Sequence, residues 1–165
     1  MIPGLVQIAD YTCAVMKGEN APPELVGPRV EARKLRQRVL TSAAAPKLTM
    51  IVNEAALRQV IGSHKIMAAQ LRAMLEVADL PNVRLWVLPF EVAGNAGLNS
   101  PFYLMNFRRN MSVVYLESAT SNVYLEDASK IDFFRRQASE LVKAALDPAA
   151  SAGFVAKIAK EHDRE

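Results

Sequence analysis

The chain has 165 residues, of which 51% are hydrophobic and 22% are charged, and its formal net charge is +3. This composition is typical of one folded globular domain, and it excludes a disordered or collagen-like chain. The single cysteine, Cys13, excludes an intramolecular disulfide, and two histidines are too few to complete a structural zinc site. A charge of +3 is too small to predict nucleic-acid binding by itself.

The beginning of the chain carries no targeting signal. Its sequence, MIPGLVQIADY, lacks the basic and then apolar profile of a signal peptide. No apolar run approaches the roughly 18 residues that a membrane-spanning helix needs. We therefore expect a cytoplasmic protein that has no membrane partner.

Helical signals fill the first part of the chain. Apolar residues between Leu5 and Met16 recur at helical spacing, and Gly18 is expected to end that helix. The two prolines of APPELV are typical of the first turn of a helix, because a missing N–H does no harm there. They predict a second helix that is rich in arginine.

Two strands joined by a helix are predicted next. Residues 48–52 form a short apolar run, and VRLWVLPF forms another after Pro81. Between them, apolar residues from Ile66 to Ala78 recur at steps of three and four, which predicts a core-facing helix. Because a helix connects the two strands, we expect them to pair in parallel, with a ligand-binding recess outside their carboxyl ends.

The rest of the chain predicts a hairpin and two helices. PFYLMNF and MSVVYLES, joined by RRN, read as antiparallel strands, and NVYLED adds an edge strand. Asp127 or Ser129 is expected to cap a helix, and LDPAAS separates it from a final helix. The predicted fold class is α/β of the mixed α+β kind, with one mixed, mostly antiparallel sheet of four to five strands and helices packed on it.

The element order predicts one domain over residues 1–165. It comprises a helical part over 1–45, the sheet with its crossover helix over 46–126, and the C-terminal helices over 127–165. The sequence contains no internal repeat and no low-complexity segment.

Polar residues near the first strand and inside the apolar stripe are candidate site residues. Glu54, with Arg58 and His64, follows the first strand and could do acid–base work, or it could simply begin a helix. Gln70 lies within the apolar stripe of the crossover helix. A buried amide needs partners, which would be either backbone groups of a neighbouring loop or a ligand.

The second half of the chain offers a loop and a sheet face. The loop GNAGLNSPF, which contains Asn95, could form a pocket rim. Tyr115 and Glu117 share a strand face by their spacing of two, and Tyr124 is expected nearby. These side chains could recognise a polar ligand, or they could belong to an ordinary, partly hydrated sheet face.

Basic residues concentrate in the second predicted helix, although Glu24 and Glu31 interrupt the run. The run could meet nucleic-acid phosphates, a protein partner or only solvent. We expect no direct sequence-specific nucleic-acid binding. The run consists of Arg29, Arg33, Lys34, Arg36 and Arg38.

Several stretches occur in an order that carries a family resemblance: IPGLVQIADYTCAVM, RVEARKLRQ, TMIVNEAALRQVIGSHKIMAAQLRAMLEVADLPNVRLWVLPF, SPFYLMNF, VVYLES and VYLED. As an ordered set, they resemble the domain of unknown function found C-terminal to the helix-turn-helix in actinobacterial Xre-type transcriptional regulators. The resemblance covers nearly the whole chain. It implies the sensor or partner-binding half of a regulator, often with a small partner protein, and it supplies no catalytic residues.

Two features depart from the family pattern. The family typically enters PGLLQT from an upstream segment, whereas Met1 stands directly before IPGLVQ here. The DNA-binding half is therefore expected to be missing, either trimmed or never encoded. The glycine-rich loop commonly reads Gly-Ala-His-Pro in the family, but residues 94–97 read GNAG, so the usual role of its imidazole does not carry over.

Two functions follow as hypotheses. The first is a ligand- or partner-sensing effector domain of such a regulator, which binds a small molecule or a small partner protein and could form a homodimer. The second is a free-standing, cofactor-independent cyclase or isomerase of specialised-metabolite biosynthesis, with Glu54 and Glu117 as acid–base groups. Neither requires a cofactor or a metal. The predicted ligand-binding residues are Met67, Gln70, Trp86, Asn95, Phe102 and Tyr115.

Overall fold

The computed structural model describes residues 1–92, 101–108, 111–117 and 121–165. Over these ranges the chain forms six α-helices and five β-strands, which confirms the mixed α+β class. The chain divides into two compact units. Unit 1 comprises Met1–Pro89 and Leu146–Glu165, and unit 2 comprises Phe90–Ala145. The prediction of a single domain stays a prediction.

Unit 1 contains most of the helices and a parallel pair of strands. Its strands are β1 (Leu48–Asn53) and β2 (Val83–Leu88). Two 3₁₀ turns lie at Gly4–Val6 and Arg38–Thr41. Its helices, numbered in chain order, are α1 (Ala9–Gly18), α2 (Pro23–Gln37), α3 (Glu54–Arg58), α4 (His64–Ala78) and α6 (Pro148–His162).

The helix boundaries follow the sequence signals. Helix α1 ends at Gly18 and α2 begins at Pro23, as predicted. Helix α4 begins after Ser63, whose hydroxyl accepts a hydrogen bond from the backbone N–H of Ile66 at 3.2 Å. Such a cap satisfies one of the N–H groups that have no partner within the helix. No helix in the described part of the chain is long and apolar enough to cross a membrane.

The two strands of unit 1 pair in parallel, as the connecting helix predicted, with Leu48 opposite Val83. The recess expected outside their carboxyl ends stays a prediction. The edge of β2 that faces away from β1 is covered by the chain itself. There, the backbone N–H of Val87 donates to Ser151 Oγ and its carbonyl accepts from the N–H of Leu146, each at 2.9 Å. The segment from Leu146 to the start of α6 therefore lies along the edge of β2.

One apolar core holds unit 1 together. It brings the inner side chains of the parallel sheet against the apolar sides of α1, α4 and α6, and Ile2 and Val6 from the N-terminal segment complete it. Burial of these side chains supplies the main stabilising free energy of the unit. Among the largest buried side chains are Tyr11, Leu57, Met67, Leu71, Met74 and Ile158.

Unit 2 is a three-stranded antiparallel sheet with one helix. Its strands are β3 (Phe102–Asn106), β4 (Ser112–Glu117) and β5 (Asn122–Leu125), in the order β3-β4-β5. Helix α5 (Ala128–Ala144) begins after Asp127, whose carboxylate accepts from the N–H groups of Ser129 and Lys130. The hydrogen bond from the Ser129 side chain is the main cause that lowers the pKa of Asp127. The predicted hairpin, edge strand and cap are confirmed.

The sheet topology corrects the sequence-based prediction of a single mixed sheet. Among the described residues, β1 and β2 form one sheet, and β3, β4 and β5 form another. Local periodicity identifies each strand and its buried face, but it does not decide which strands exchange backbone hydrogen bonds.

Candidate functional site

Gln70 occupies the core-facing side of α4 and is fully buried. Its Nε2 donates to the carbonyl of Val6 at 2.7 Å, and its Oε1 accepts from the N–H of Ile8 at 2.8 Å. The Gln70 side chain thus forms the pair of hydrogen bonds with the segment before α1 that the backbone of a neighbouring β-strand would form. The sequence analysis predicted either backbone groups or a ligand as the partners of Gln70, and the structure shows backbone groups.

Two further glutamines bind the same N-terminal segment. Gln37 Nε2 donates to the carbonyls of Gly4 at 3.2 Å and of Gln7 at 2.7 Å. Gln7 Nε2 donates to the carbonyl of Ile2 at 2.7 Å. We call Gln7, Gln37 and Gln70 the glutamine clamp. The sequence analysis did not single out Gln7 and Gln37, because neither lies within a regular apolar stripe as Gln70 does.

The basic run of α2 contains residues that form contacts within the protein and residues that face solvent. Arg33 Nη1 donates to Gln7 Oε1, so this arginine supports the glutamine clamp. Lys34 Nζ lies 2.8 Å from Glu31 Oε1 on the exposed side. The arginines that remain on the solvent side are Arg29, Arg36 and Arg38. The run is therefore not one uninterrupted stripe of cations facing solvent.

Glu54 and Arg58 connect α3 to α6. Glu54 is 5% exposed, and its Oε1 lies 2.6 Å from Arg58 Nε. Arg58 Nη1 also lies 2.8 Å from Glu161 Oε2. The hydrogen bond with Glu54 is the main cause that raises the pKa of the Arg58 guanidinium. The residue that caps the start of α3 is Asn53 and not Glu54. The ion pair with Arg58 is the role of Glu54 that the structure shows.

His64 contacts a residue far along the chain. Its Nδ1 lies 2.9 Å from Nδ1 of His162, and His162 Nε2 lies 3.0 Å from the carbonyl oxygen of Leu57. The pair joins the start of α4 to the end of α6. Sequence reasoning could not find it, because 98 positions separate the two histidines.

A partly open cleft of about 440 Å³ lies in unit 1 beside α1 and the connection between α3 and α4. Tyr11, Ala14 and Ile61 contribute to its largely apolar lining. None of the described ligand-binding candidates lines it. Met67 is instead fully buried in the core, and Trp86 is half-buried on β2 opposite Ile51.

The sheet of unit 2 has one face covered by α5. Phe102 packs against Phe134 of that helix, with ring centroids 4.9 Å apart, and Val114 between the strands is fully buried. Phe102 therefore contributes to the small core of unit 2. Asn95 and the rest of the predicted pocket rim up to residue 100 lie outside the described residues.

The other face of this sheet carries a row of tyrosines. Tyr103, Tyr115 and Tyr124 stand directly opposite one another on β3, β4 and β5. Their ring centroids lie 5.6 Å and 5.0 Å apart along the row. The Tyr115 hydroxyl also donates to Asn122 Oδ1 at 3.0 Å. The sequence analysis placed Tyr115 and Tyr124 together but missed Tyr103, whose place follows only from the hairpin register.

We call this surface the tyrosine face and define it by Tyr103, Tyr115, Tyr124, Glu117 and Asn122. Tyr103 is 38% exposed and Tyr124 is 64% exposed, while Tyr115 is half-buried between them. Glu117 and Asn122 face each other across β4 and β5 and are both exposed. The surface therefore offers aromatic rings, hydroxyl groups and one carboxylate.

Comparison with known proteins identifies a family. A family model described as a domain of unknown function (DUF5753) matches residues 1–157. No curated protein and no solved structure matches the chain.

Proposed function

We propose that this chain, which belongs to the DUF5753 family, is the partner-sensing effector domain of an actinobacterial Xre-type transcriptional regulator. In this proposal, DNA sequence is read by a helix-turn-helix, and the domain described here changes the regulator's activity when a partner binds. The ordered resemblance of the chain to the C-terminal half of such regulators supports the assignment. The tyrosine face is the observation that carries it.

The tyrosine face has the chemistry of a protein-binding surface. Tyrosine combines a large rigid apolar ring with a polar hydroxyl, and it is enriched where proteins bind one another. The mutual ring contacts hold the three side chains in one arrangement before binding, which reduces the entropy lost on association. Because Glu117 lies beside the middle of the row, two residues from Tyr115 on β4, the complementary partner surface is apolar with a basic residue at its edge.

A protein partner is better supported than a small molecule. Small-molecule sites are concave and enclose most of their ligand. The tyrosine face instead lies on an open sheet, and the cleft beside α1 contains none of the described residues predicted to bind a ligand. We therefore assign sensing to the binding of a small partner protein.

The enzymatic hypothesis has weaker support. Its two proposed acid–base groups lie in different environments, since Glu54 is buried in an ion pair within unit 1 and Glu117 is exposed on the sheet of unit 2. A general base must be free to accept a proton from substrate. The carboxylate of Glu54 is committed to Arg58, so the hypothesis would rest on Glu117.

The first test is a titration of the chain with duplex DNA at low salt. We expect the affinities for an operator-like duplex and for a scrambled duplex of equal length to differ by less than about threefold, because contacts between basic side chains and phosphates do not distinguish base sequences. Fluorescence anisotropy measures both affinities. A preference of one hundredfold for one duplex would show that the chain reads DNA itself and would contradict its assignment as a sensor.

The second test restores DNA reading by fusion. The chain is joined to the helix-turn-helix of an Xre-type regulator and tested on an operator-driven reporter in cells that express the genome's small proteins from a library. We expect one of these proteins to change reporter output, and we expect the double substitution Tyr103→Ser and Tyr124→Ser to abolish that response. Val123→Thr is the matched control, because Val123 lies on the opposite face of β5 and should leave the response intact. A response that survives the double substitution would remove the tyrosine face from the proposal.

A further inference from the structure

The contact between His64 and His162 is a site that the proposed function does not use. The two Nδ1 atoms lie 2.9 Å apart and the ring centroids 5.1 Å apart, so the rings face each other nearly head-on through the same type of nitrogen. His162 is 7% exposed, whereas His64 is half-buried and accessible from solvent. We propose that this pair is a two-nitrogen binding site for a divalent transition-metal ion of the Cu²⁺ or Ni²⁺ class.

The orientation of His162 is the first argument for a metal site. Its Nε2 lies 3.0 Å from the carbonyl oxygen of Leu57, so Nε2 carries a proton and Nδ1 presents a lone pair. A histidine that binds a metal through one ring nitrogen commonly donates its other N–H to a backbone carbonyl, which fixes the tautomer and the ring. His162 already has this arrangement.

The separation of the two nitrogens is the second argument. Two ligands bound at about 2.0–2.1 Å lie about 2.9 Å apart at a right angle and about 3.4 Å apart at the tetrahedral angle. The observed 2.9 Å equals the separation of neighbouring positions of a square-planar or octahedral ion, and a rotation of the His64 ring would turn its lone pair towards that ion. Tetrahedral Zn²⁺ would require the rings to separate further, so we expect it to bind more weakly than Ni²⁺.

Binding of the ion requires a change of tautomer at His64 and a rotation of its ring, which now faces His162 nearly head-on. Without metal, His64 Nδ1–H donates to His162 Nδ1. When the ion binds, that proton leaves to solvent and His64 Nε2 takes one up, so both rings stay neutral and no net proton is released. Water completes the coordination, which makes the site weaker than a structural zinc site with four protein ligands.

The surrounding charges are compatible with an added cation. Glu161 and Asp163, on either side of His162, are paired with Arg58 and Arg72, and Arg58 is also paired with Glu54. Lys157 Nζ also lies 4.0 Å from Glu161 Oε1, so the group comprises three carboxylates, two guanidinium groups and one ammonium group, and it adds no net positive charge. His162 is also the last residue of α6, where the carbonyl end of a helix favours positive charge.

The test is isothermal titration of the full chain, prepared without an affinity tag, with NiCl₂ at pH 7.5. We expect one saturable Ni²⁺ site, and we expect His64→Asn to weaken it at least about tenfold while circular dichroism shows an unchanged fold. His64 is partly exposed, so its substitution should disturb the core little. The variant also keeps the contact between His162 and Leu57, which His162→Asn would remove. Cys13→Ser is the matched control, since Cys13 carries the single thiol of the chain and thiolates also bind these ions, and it should leave the affinity unchanged.

Two further readouts decide whether both histidines are ligands. Electron paramagnetic resonance of the Cu²⁺ form should show two nitrogen donors in the unsubstituted chain and one fewer in His64→Asn. Mg²⁺ and Ca²⁺, which prefer oxygen ligands, should not compete with Ni²⁺. The absence of a Ni²⁺ site, or equal Ni²⁺ affinity in His64→Asn, would overturn the proposal and would leave the pair as a hydrogen bond between α4 and α6. Either result is independent of the tyrosine face, which lies in unit 2.

Discussion

Substitution of Gln70 by leucine is expected to lower the free energy of unfolding by about 3 kcal/mol, because it leaves two buried backbone groups without partners. The carbonyl of Val6 and the N–H of Ile8 would both lose the amide that binds them at 2.7 Å and 2.8 Å. Leucine has a similar volume, so the effect is not that of a cavity. Urea denaturation followed by circular dichroism measures the loss, and the melting temperature should fall by about 10 °C.

The same measurement on Gln59→Leu provides the control for Gln70→Leu. Gln59 is an exposed glutamine of unit 1, so this change should alter the free energy of unfolding by less than about 0.5 kcal/mol. If Gln70→Leu were as stable as the unsubstituted chain, the amide would not be holding the N-terminal segment. The assignment of Gln70 to structure would then be wrong.

Gly62→Ala is expected to lower the free energy of unfolding by about 2–3 kcal/mol through strain and crowding. Gly62 has a φ of +77°, which a residue with a side chain rarely adopts. A Cβ there would lie 2.8 Å from the Cβ of Ala14 and 2.9 Å from Cδ1 of Ile66. The end of the Ile66 side chain can move, but the Cβ of Ala14 is fixed to α1. Urea denaturation again measures the cost.

Gly153→Ala is the matched control for Gly62→Ala. Gly153 lies inside α6, and an added Cβ would meet nothing within 4 Å. Alanine favours the helix over glycine by about 0.5–1 kcal/mol, so this variant should be more stable than the unsubstituted chain. If both substitutions had the same effect, the close approach between Gly62 and α1 would not be a constraint on the fold.

The elements predicted best are those whose signals are local. The three- and four-residue spacing between Ile66 and Ala78 located α4, and the prolines of APPELV located the start of α2. The parallel pairing of β1 and β2 followed from one physical constraint, because a helical crossover brings the second strand back in the same direction.

Features that depend on distant residues were missed. The division of the strands between two sheets, the hydrogen bond from Val87 to Ser151 and the contact of His64 with His162 all depend on segments far apart along the chain. No periodicity relates such segments. Gln70 is an example. Its place in an apolar stripe predicted that the amide needs partners, but the sequence does not identify them as Val6 and Ile8.

The tyrosine face was predicted only in part, because it depends on both local spacing and strand pairing. The period of two placed Tyr115 and Glu117 on one face, and the predicted edge strand brought Tyr124 near them. Tyr103 required the exact register between β3 and β4, in which it stands opposite Tyr115. A shift of one residue would have put Phe102 in the row and Tyr103 under α5, because neighbouring residues of a strand point to opposite faces.

Photo-crosslinking in cells of the encoding organism tests most directly the claim that this protein senses a partner through the tyrosine face. The photoreactive residue p-benzoylphenylalanine replaces Tyr124 in one variant and Val123, which lies on the opposite face of β5, in the other. We predict one discrete protein adduct from position 124, reduced when Tyr103→Ser is added, and no such adduct from position 123. The same adduct from both positions, or none from position 124, would contradict the account.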